Sequence, residues 1–303
     1  MRAIETKQLK KMYGSVPVVN GLDLVVEKGE IFGLLGRDGA GKSTFINMLT
    51  GIVQQSSGTY SLLGVACPNA QVKKRIGVMP EYSALYSSMT AVEHLQYLSS
   101  LSGKPAGKQR CIDVLHSVAL AAHAHKKSRE FSFGMIKKLG IAQAIIHDPE
   151  LIFLDEPTSG LDAESVLVIH QLIIEMQKRG KTIIMTSHNL DEVERLCTRI
   201  AIMKAGQIVR MGTMDELRAF YRQTVKVRIK HAPVPAAQRE ILYRWLKTAG
   251  TKLEIAECYT TIHLEEEKKI ADILRAFHHC KTDVYRAEVA GPTLEEIFLD
   301  ESE

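Results

Sequence analysis

The hydrophobic pattern of the chain first indicates strands. Three largely apolar runs, at 31–35, 151–154 and 182–187, are typical of strands covered on both faces, as in a parallel sheet. Residues 1–30 instead alternate apolar and polar positions, with turns at 13–15 and 27–30, so we expect antiparallel strands there. The pattern predicts a mixed sheet core preceded by an antiparallel β subdomain.

The segment from about 85 to 145 is predicted to be a mostly helical insertion. Thr90 and Glu93 have the spacing of a capping box, which starts a helix running to about residue 100. A second helix is expected at roughly 109–119. Ser132 is a plausible N-cap before a long helical run at 136–146.

The pattern divides the chain into two domains. A hairpin near 200–210 and a helix ending near 221 close the first, so we expect domains at 1–221 and 222–303. The second shows strand and helix patterns in the order β-α-β-β-α-β, typical of a small α+β domain. A third capping box, at 293–296, predicts a terminal helix. Alternating strands and helices make the fold class α/β.

Composition narrows the class of protein. The 303 residues carry a net charge of +4, too mild to argue for a nucleic-acid partner. The sequence contains no run of eighteen apolar residues, so it predicts no membrane-spanning helix. The first residues lack the apolar core of a signal peptide. Five scattered cysteines suggest reduced thiols rather than a disulfide frame or a zinc site. We expect a cytoplasmic protein.

The clearest chemical signal follows the first apolar run. Residues 36–44 have the spacing G-x-x-x-x-G-K-[ST] between a predicted strand and a predicted helix. Glycines and a helix N-terminus present backbone N–H groups to an anion. Lys42 would contact the β- and γ-phosphates, and Ser43 would offer a hydroxyl to Mg²⁺. The predicted residues of this nucleoside triphosphate site are Gly36, Arg37, Asp38, Gly39, Ala40, Gly41, Lys42, Ser43 and Thr44.

Two acids and a histidine follow the other apolar runs. Asp155 and Glu156 end the run that begins at 151, and His188 comes directly after the run at 182–187. Carboxyl ends of parallel strands are where open α/β sheets bind ligands. We expect Asp155 to bind Mg²⁺, Glu156 to polarise an attacking water, and His188 to contact the γ-phosphate.

Together these motifs resemble the ATP-binding subunit of an ABC transporter, over residues 1 to about 221. Residues 36–44 match its Walker A motif, 151–156 its Walker B motif and 159–162 its D-loop, with His188 as the switch histidine. Tyr13, which alone is better interpreted as a half-buried strand tyrosine, matches the aromatic that stacks on adenine. The residues that resemble the signature segment and the D-loop acid are Ser132, Phe133, Gly134, Met135 and Asp162.

The resemblance carries functional implications. It implies a P-loop NTPase fold of the ABC ATPase type, ATP and Mg²⁺ as cofactors, and ATP hydrolysis by Glu156, His188 and Lys42. It also implies a head-to-tail homodimer, or paired ATPase, with ATP at the interface. A separate integral-membrane permease would hold the protein on the inner face of the cell membrane, docked by the helical insertion near residues 82–89. The C-terminal part, with residues 292–299, is similar to ATPases paired with ABC-2 type permeases, mostly exporters.

The sequence departs from the family pattern at three places. Glu81 stands at the usual Q-loop glutamine; it keeps an oxygen ligand for Mg²⁺ but adds negative charge. In the signature, Phe133 replaces a glycine and Met135 a glutamine, and residues 136–138 replace the usual Gln-Arg region. Arg37-Asp38 replaces a common Pro-Asn pair.

Two further functions compete with a transport ATPase. One is an ATP-dependent regulatory or assembly switch with little turnover, suggested by the signature departures. The other is an ABC ATPase acting on DNA or ribosomes. ABC ATPases that act on DNA carry a long coiled coil, and the interval between Lys42 and Ser132 has no room for one. Those that act on ribosomes carry two cassettes in one chain, whereas this sequence shows one.

The departures predict slower hydrolysis than a consensus member would show. Changing Asp38→Asn, Phe133→Gly and Met135→Gln together relieves crowding and removes a charge at the dimer face. We expect the steady-state ATPase rate of the triple variant to rise. An unchanged or lower rate would contradict the interpretation.

Overall fold

A computed structural model describes residues 1–81, 85–221 and 225–290, with positions 294 and 298. It divides into two compact units, Met1–Thr213 and Met214–Glu303. The division falls before the expected boundary at 221, because the helix Met214–Tyr221 groups with the second unit. Residues 82–84 of the expected docking segment lie outside the described residues, as does most of the expected capping box at 293–296.

The first unit alternates strands and helices. Its strands are β1 (Arg2–Tyr13), β2 (Val16–Glu27), β3 (Ile31–Leu35), β4 (Ser57–Leu62), β5 (Val65–Cys67), β6 (Ile76–Met79), β7 (Leu151–Asp155), β8 (Thr182–Ser187), β9 (Arg199–Lys204) and β10 (Gln207–Gly212). Its helices are α1 (Lys42–Leu49), α2 (Ala70–Lys73), α3 (Ala91–Leu101), α4 (Lys108–Ser117), α5 (Phe133–Ile145), α6 (Ala163–Lys178) and α7 (Leu190–Leu196).

The central sheet has the order β10-β9-β3-β8-β7-β6 within the described chain. Strands β9, β3, β8, β7 and β6 pair in parallel, and β10 is antiparallel to β9. Every residue of β3, β7 and β8 is buried, which confirms the prediction from the three apolar runs. Since Leu35 pairs with Ser187 and Asp155 with Thr186, the carboxyl ends of these strands meet at one edge.

A second sheet, β2-β1-β4-β5, is antiparallel, as the alternation over residues 1–30 predicts. It shares one hydrophobic core with α1 and the central sheet. Phe45 and Met48 of α1 are fully buried between residues of both sheets, such as Ile4 and Phe153. This core fixes the start of α1 at the end of β3, where the glycine-rich loop lies.

The helical segment is confirmed in outline. Thr90 and Glu93 form both bonds of the capping box before α3. Ser132 is the N-cap of α5, which begins at residue 133 rather than 136, because the Ser132 hydroxyl accepts the Met135 N–H at 3.4 Å. Our pattern analysis missed the short elements β5, α2 and α7. With three, four and seven residues respectively, they are too short to show a sustained periodic pattern.

The second unit holds α8 (Met214–Tyr221), β11 (Val225–His231), α9 (Arg239–Ala249), β12 (Thr251–Ile255), β13 (Tyr259–Leu264), α10 (Lys269–His279) and β14 (Val284–Ala290). The order β-α-β-β-α-β is as expected. The sheet runs β12-β13-β11-β14, antiparallel throughout, and its buried residues pack with Leu246 of α9 and Phe277 of α10. Across the ranges described in both units, no helix is long and apolar enough to cross a membrane.

The core of the first unit predicts a large cost for a truncation in β7. Phe153 is fully buried, so Phe153→Ala removes apolar surface and leaves a cavity. We expect the free energy of unfolding of this unit to fall by about 3–5 kcal/mol in urea denaturation. Ile52→Ala, at a position 61% exposed, is the control and should change it by less than about 0.5 kcal/mol. Equal losses in the two variants would contradict this core assignment.

Candidate active site

The glycine-rich loop joins β3 to α1 and is shaped by close backbone contacts. Gly41 is the N-cap of α1 with φ 101°, and no side chain caps the helix. A Cβ at Gly41 would lie 2.5 Å from the Val18 carbonyl oxygen, and one at Gly36 would lie 2.6 Å from that of Met203. Only glycine fits at these positions. The free N–H groups at the start of α1 are therefore left for an anion.

Lys42 lies in the first turn of α1 and is 7% exposed. Its ammonium donates to the carbonyl oxygens of Gly36, at 2.6 Å, and Arg37, at 3.2 Å. The charge is thus held inside the loop by neutral acceptors. Arg37, Asp38 and Gly39 are exposed, Ala40 is buried, and Ser43 and Thr44 are half-buried.

Asp155 and Glu156 stand at the carboxyl end of β7. Asp155 is 3% exposed, and one of its carboxylate oxygens accepts the Thr186 hydroxyl at 2.5 Å. The same hydroxyl oxygen accepts the Glu156 N–H at 2.9 Å. Thr186 of β8 therefore links the two acids, a role that its place in an apolar run did not reveal.

Glu156 and His188 meet at the sheet edge. The Nδ1 atom of His188 lies 2.8 Å from a Glu156 carboxylate oxygen, and the side chains are 66% and 12% exposed respectively. Burial raises the pKa of Glu156, while His188 and Lys42 oppose that rise. The site thus holds a half-buried carboxylate whose pKa is raised above that of an ordinary glutamate. Such a group is suited to accept a proton from water.

A further carboxylate, Glu192 of α7, supports this edge. It is 2% exposed and accepts the Ser187 hydroxyl at 2.6 Å and the Thr158 hydroxyl at 2.7 Å. The His170 ring nitrogen of α6 lies 3.0 Å away. Glu192 therefore joins the end of β8, the loop after Glu156 and α6. Sequence reasoning missed it because its partners are brought together only by the fold.

The residues expected to form the signature lie at the N-terminus of α5. Ser132 and Phe133 are exposed, and Gly134 and Met135 are half-buried. The Phe133 ring packs on the loop between β7 and α6, since a Cβ at Gly160 in that loop would lie 2.5 Å from the ring. Phe133 is nevertheless 52% exposed, so it presents an aromatic face to solvent.

Asp162 and Tyr13 are also exposed. The Asp162 carboxylate accepts the N–H and the hydroxyl of Ser165 and so caps α6. These bonds lower its pKa. Tyr13 ends β1, is 51% exposed, and has the Lys11 ammonium 5.0 Å from its ring centroid. The same hairpin brings Val18 against Gly41, so Tyr13 lies on the hairpin that borders the loop.

The oxygen donors are those that suit Mg²⁺. Asp155 at the end of β7, Ser43 in α1 and half-buried Glu81 after β6 are hard ligands. No group of three or more His, Cys, Asp or Glu side chains that could hold a metal is found among the described residues. That fits Mg²⁺, which is commonly bound by one or two carboxylates together with water and phosphate oxygens.

The chain is similar to known proteins over the region that carries these motifs. The family model described as "ABC transporter" matches residues 19–159, and a second, described as "AAA domain, putative AbiEii toxin, Type IV TA system", matches residues 127–194. A relative in Bacillus subtilis (strain 168), the linearmycin resistance ATP-binding protein LnrL, is 33% identical over 98% of this chain and 97% of its own length.

Two further similarities extend this comparison. The Nod factor export ATP-binding protein I of Burkholderia orbicola (strain AU 1054) is 35% identical over 84% of this chain and 85% of that protein. A solved structure of an ATP-binding subunit of an ABC transporter has a TM-score of 0.68 and 28% identity, covering 73% of this chain and 93% of that one. The first relative spans both units of this chain.

The contact between Glu156 and His188 predicts a shift in the pH profile of ATP hydrolysis. Glu156 must be ionised to accept a proton, so the rate falls as the pH drops through its raised pKa. His188→Ala removes an interaction that lowers this pKa. We expect the acid limb of kcat to move to higher pH, together with a lower maximum. His123→Ala, at an exposed position, should leave the profile in place. An acid limb that stays in place or moves to lower pH in His188→Ala would contradict this assignment.

Proposed function

Since this chain belongs to the ABC transporter family of ATP-binding proteins, we propose that it drives export of a substrate through a separate membrane permease. As a member of that family it binds ATP and hydrolyses it to energise a transporter. The observation that carries the proposal is the convergence of Lys42, Asp155, Glu156 and His188 at the carboxyl ends of parallel strands.

The proposed direction of transport rests on the relatives. One is named for linearmycin resistance and another for Nod factor export. The first matches the chain over 98% of its length, including the second unit. We therefore assign an exporter, with the protein bound peripherally to a permease on the cytoplasmic face of the cell membrane.

The proposed phosphate site uses the loop and Lys42. The N–H groups at the start of α1 and the Lys42 ammonium would contact the β- and γ-phosphates. Lys42 now donates to Gly36 and Arg37, so binding exchanges two carbonyl acceptors for charged phosphate oxygens. Charge-assisted hydrogen bonds are the stronger ones, which favours the exchange. Tyr13 would stack on the adenine ring.

The proposed metal site uses Asp155, Ser43 and Glu81. When bound there, Mg²⁺ neutralises charge on the phosphate oxygens. The Thr186 hydroxyl donates to one of the two carboxylate oxygens of Asp155. The other oxygen is the one that we propose contacts the hydration shell of the ion. Glu156, hydrogen-bonded to His188, is the proposed base that takes a proton from the attacking water.

The proposed active form is a head-to-tail homodimer. Ser132, Phe133, Gly134 and Met135 lie at or near the surface of α5, where a second copy could present its bound ATP to them. The exposed Arg37, Asp38 and Asp162 belong to the same proposed interface. The head-to-tail arrangement lets the signature of each copy complete the site of the other.

A switch with little turnover is not favoured as an alternative function. Two of the groups proposed for hydrolysis, Glu156 and His188, lie 2.8 Å apart, which supports turnover. A switch that only binds ATP would have no need of a buried base beside a histidine. The relatives are likewise ATP-binding subunits of export and resistance systems.

Replacing the proposed base separates turnover from binding. Glu156→Gln keeps the shape of the side chain but removes the proton acceptor. We expect ATP hydrolysis to fall by at least about 10²-fold, the contribution typical of a general base, while ATP binding persists. Size-exclusion chromatography with saturating ATP should then show a dimer that the unmodified protein forms only transiently. Full hydrolysis by Glu156→Gln, or a monomer that persists with ATP, would contradict the proposal.

A further inference from the structure

A buried lysine that the motifs do not account for lies at the active site. Lys137 is on α5, one turn after the Ser132 N-cap, and is 4% exposed. Its ammonium donates to the carbonyl oxygen of Glu156 at 2.9 Å. Lysine is almost never fully buried without a partner, so this placement calls for a physical reason.

The first reason is the backbone of Glu156. This residue has φ 52°, in the left-handed region of the backbone that residues other than glycine, asparagine and aspartate seldom adopt. Both of its backbone polar groups are anchored: the N–H donates to the Thr186 hydroxyl and the carbonyl accepts Lys137. A conformation of this kind persists only where its surroundings fix it. Lys137 is one of the two groups that do so.

The second reason is charge. Parallel pairing of Met79 with Leu154 makes Glu81 and Glu156 the residues two positions beyond a matched pair at the same sheet edge. Glu81, Glu156 and Asp155 therefore follow neighbouring strands at this edge, and the charge of each acts on Lys137. Burial lowers the pKa of Lys137, and the attraction of these same carboxylates, Glu81 foremost, opposes that shift. The ammonium thus offsets negative charge that would otherwise accumulate where phosphate must bind.

We propose that Lys137 is a positioning residue for ATP hydrolysis, which fixes the Glu156 peptide and forms a functional charge pair with Glu81. The two departures from the family pattern in this part of the site, a carboxylate in the Q-loop and a lysine in α5, then compensate one another. The inference rests on the proposed role of Glu156. It predicts that the effect of replacing Lys137 depends on whether residue 81 carries a negative charge.

Two substitutions of Lys137 separate its hydrogen bond from its charge. Lys137→Met removes both, and Lys137→Gln keeps an N–H donor, one bond closer to the backbone, but no charge. If Lys137 positions the base, Lys137→Met should lower kcat by about tenfold or more while KM for ATP changes less than about threefold, since misplaced catalytic groups affect turnover more than binding. Lys137→Gln should retain more of kcat than Lys137→Met.

A double substitution tests the charge pair. Glu81→Gln with Lys137→Gln removes both charges together. We expect the double variant to hydrolyse ATP at least about threefold faster than Lys137→Gln alone, because the attraction between the two opposite charges couples their effects. A loss in the double variant equal to the product of the single losses would overturn the pair. Unchanged kcat in Lys137→Met would overturn the positioning role.

Controls distinguish this inference from folding and from the proposed function. Lys178→Met, at an exposed position at the end of α6, should leave kcat unchanged. Thermal unfolding and binding of a fluorescent ATP analogue report whether each variant is folded, and Lys137→Gln serves if Lys137→Met does not fold. If the unmodified protein hydrolyses ATP and the Lys137 variants match it, only this inference fails. If the unmodified protein does not hydrolyse ATP, the proposed function fails first.

Discussion

The parallel register of β3, β7 and β8 is the constraint on which the rest of the site depends. Asp155 pairs with Thr186 and Leu35 with Ser187, so three strand ends open onto one edge. A shift of one residue in either pairing would turn the side chains of a strand to the opposite face. Both faces of these strands are buried and closely packed, so such a shift would disrupt the packing on each face. The short Glu156–His188 and Thr186–Asp155 contacts follow from that register.

Polar groups then fix this edge in detail. Thr186, Glu192 and Lys137 each contact a residue of the site or its flanking loop, and all three are buried. Their hydrogen bonds cross between β7, β8, α5 and α7. Satisfied buried networks of this kind hold a unique geometry, whereas a single missing partner leaves a buried polar group exposed to a large penalty. The position of Glu156 therefore depends on residues outside the predicted phosphate loop.

Local patterns were enough to predict much of the fold and the first contacts of the site. The capping box at Thr90, the N-cap at Ser132, the phosphate loop and the three buried strands each depend on neighbours within a few residues. Thr186, Glu192 and Lys137 could not be found that way. Their partners lie on other elements, so their types carry no local signal: a threonine in a strand, an acid in a short helix, a lysine after a signature segment. The same limit applies to the second unit, where the element order was predictable but the strand order β12-β13-β11-β14 was not.

The central claim is that ATP binds in the glycine-rich loop and that Lys42, which donates to the carbonyl groups of Gly36 and Arg37, turns to contact its phosphates. A crystal structure of the protein with ATP and Mg²⁺ tests this most directly. The account predicts that the phosphates lie against residues 36–44 and that the Lys42 ammonium leaves the Gly36 and Arg37 carbonyls to contact them. A nucleotide bound elsewhere, or one bound in the loop while Lys42 keeps both carbonyl partners, would contradict it.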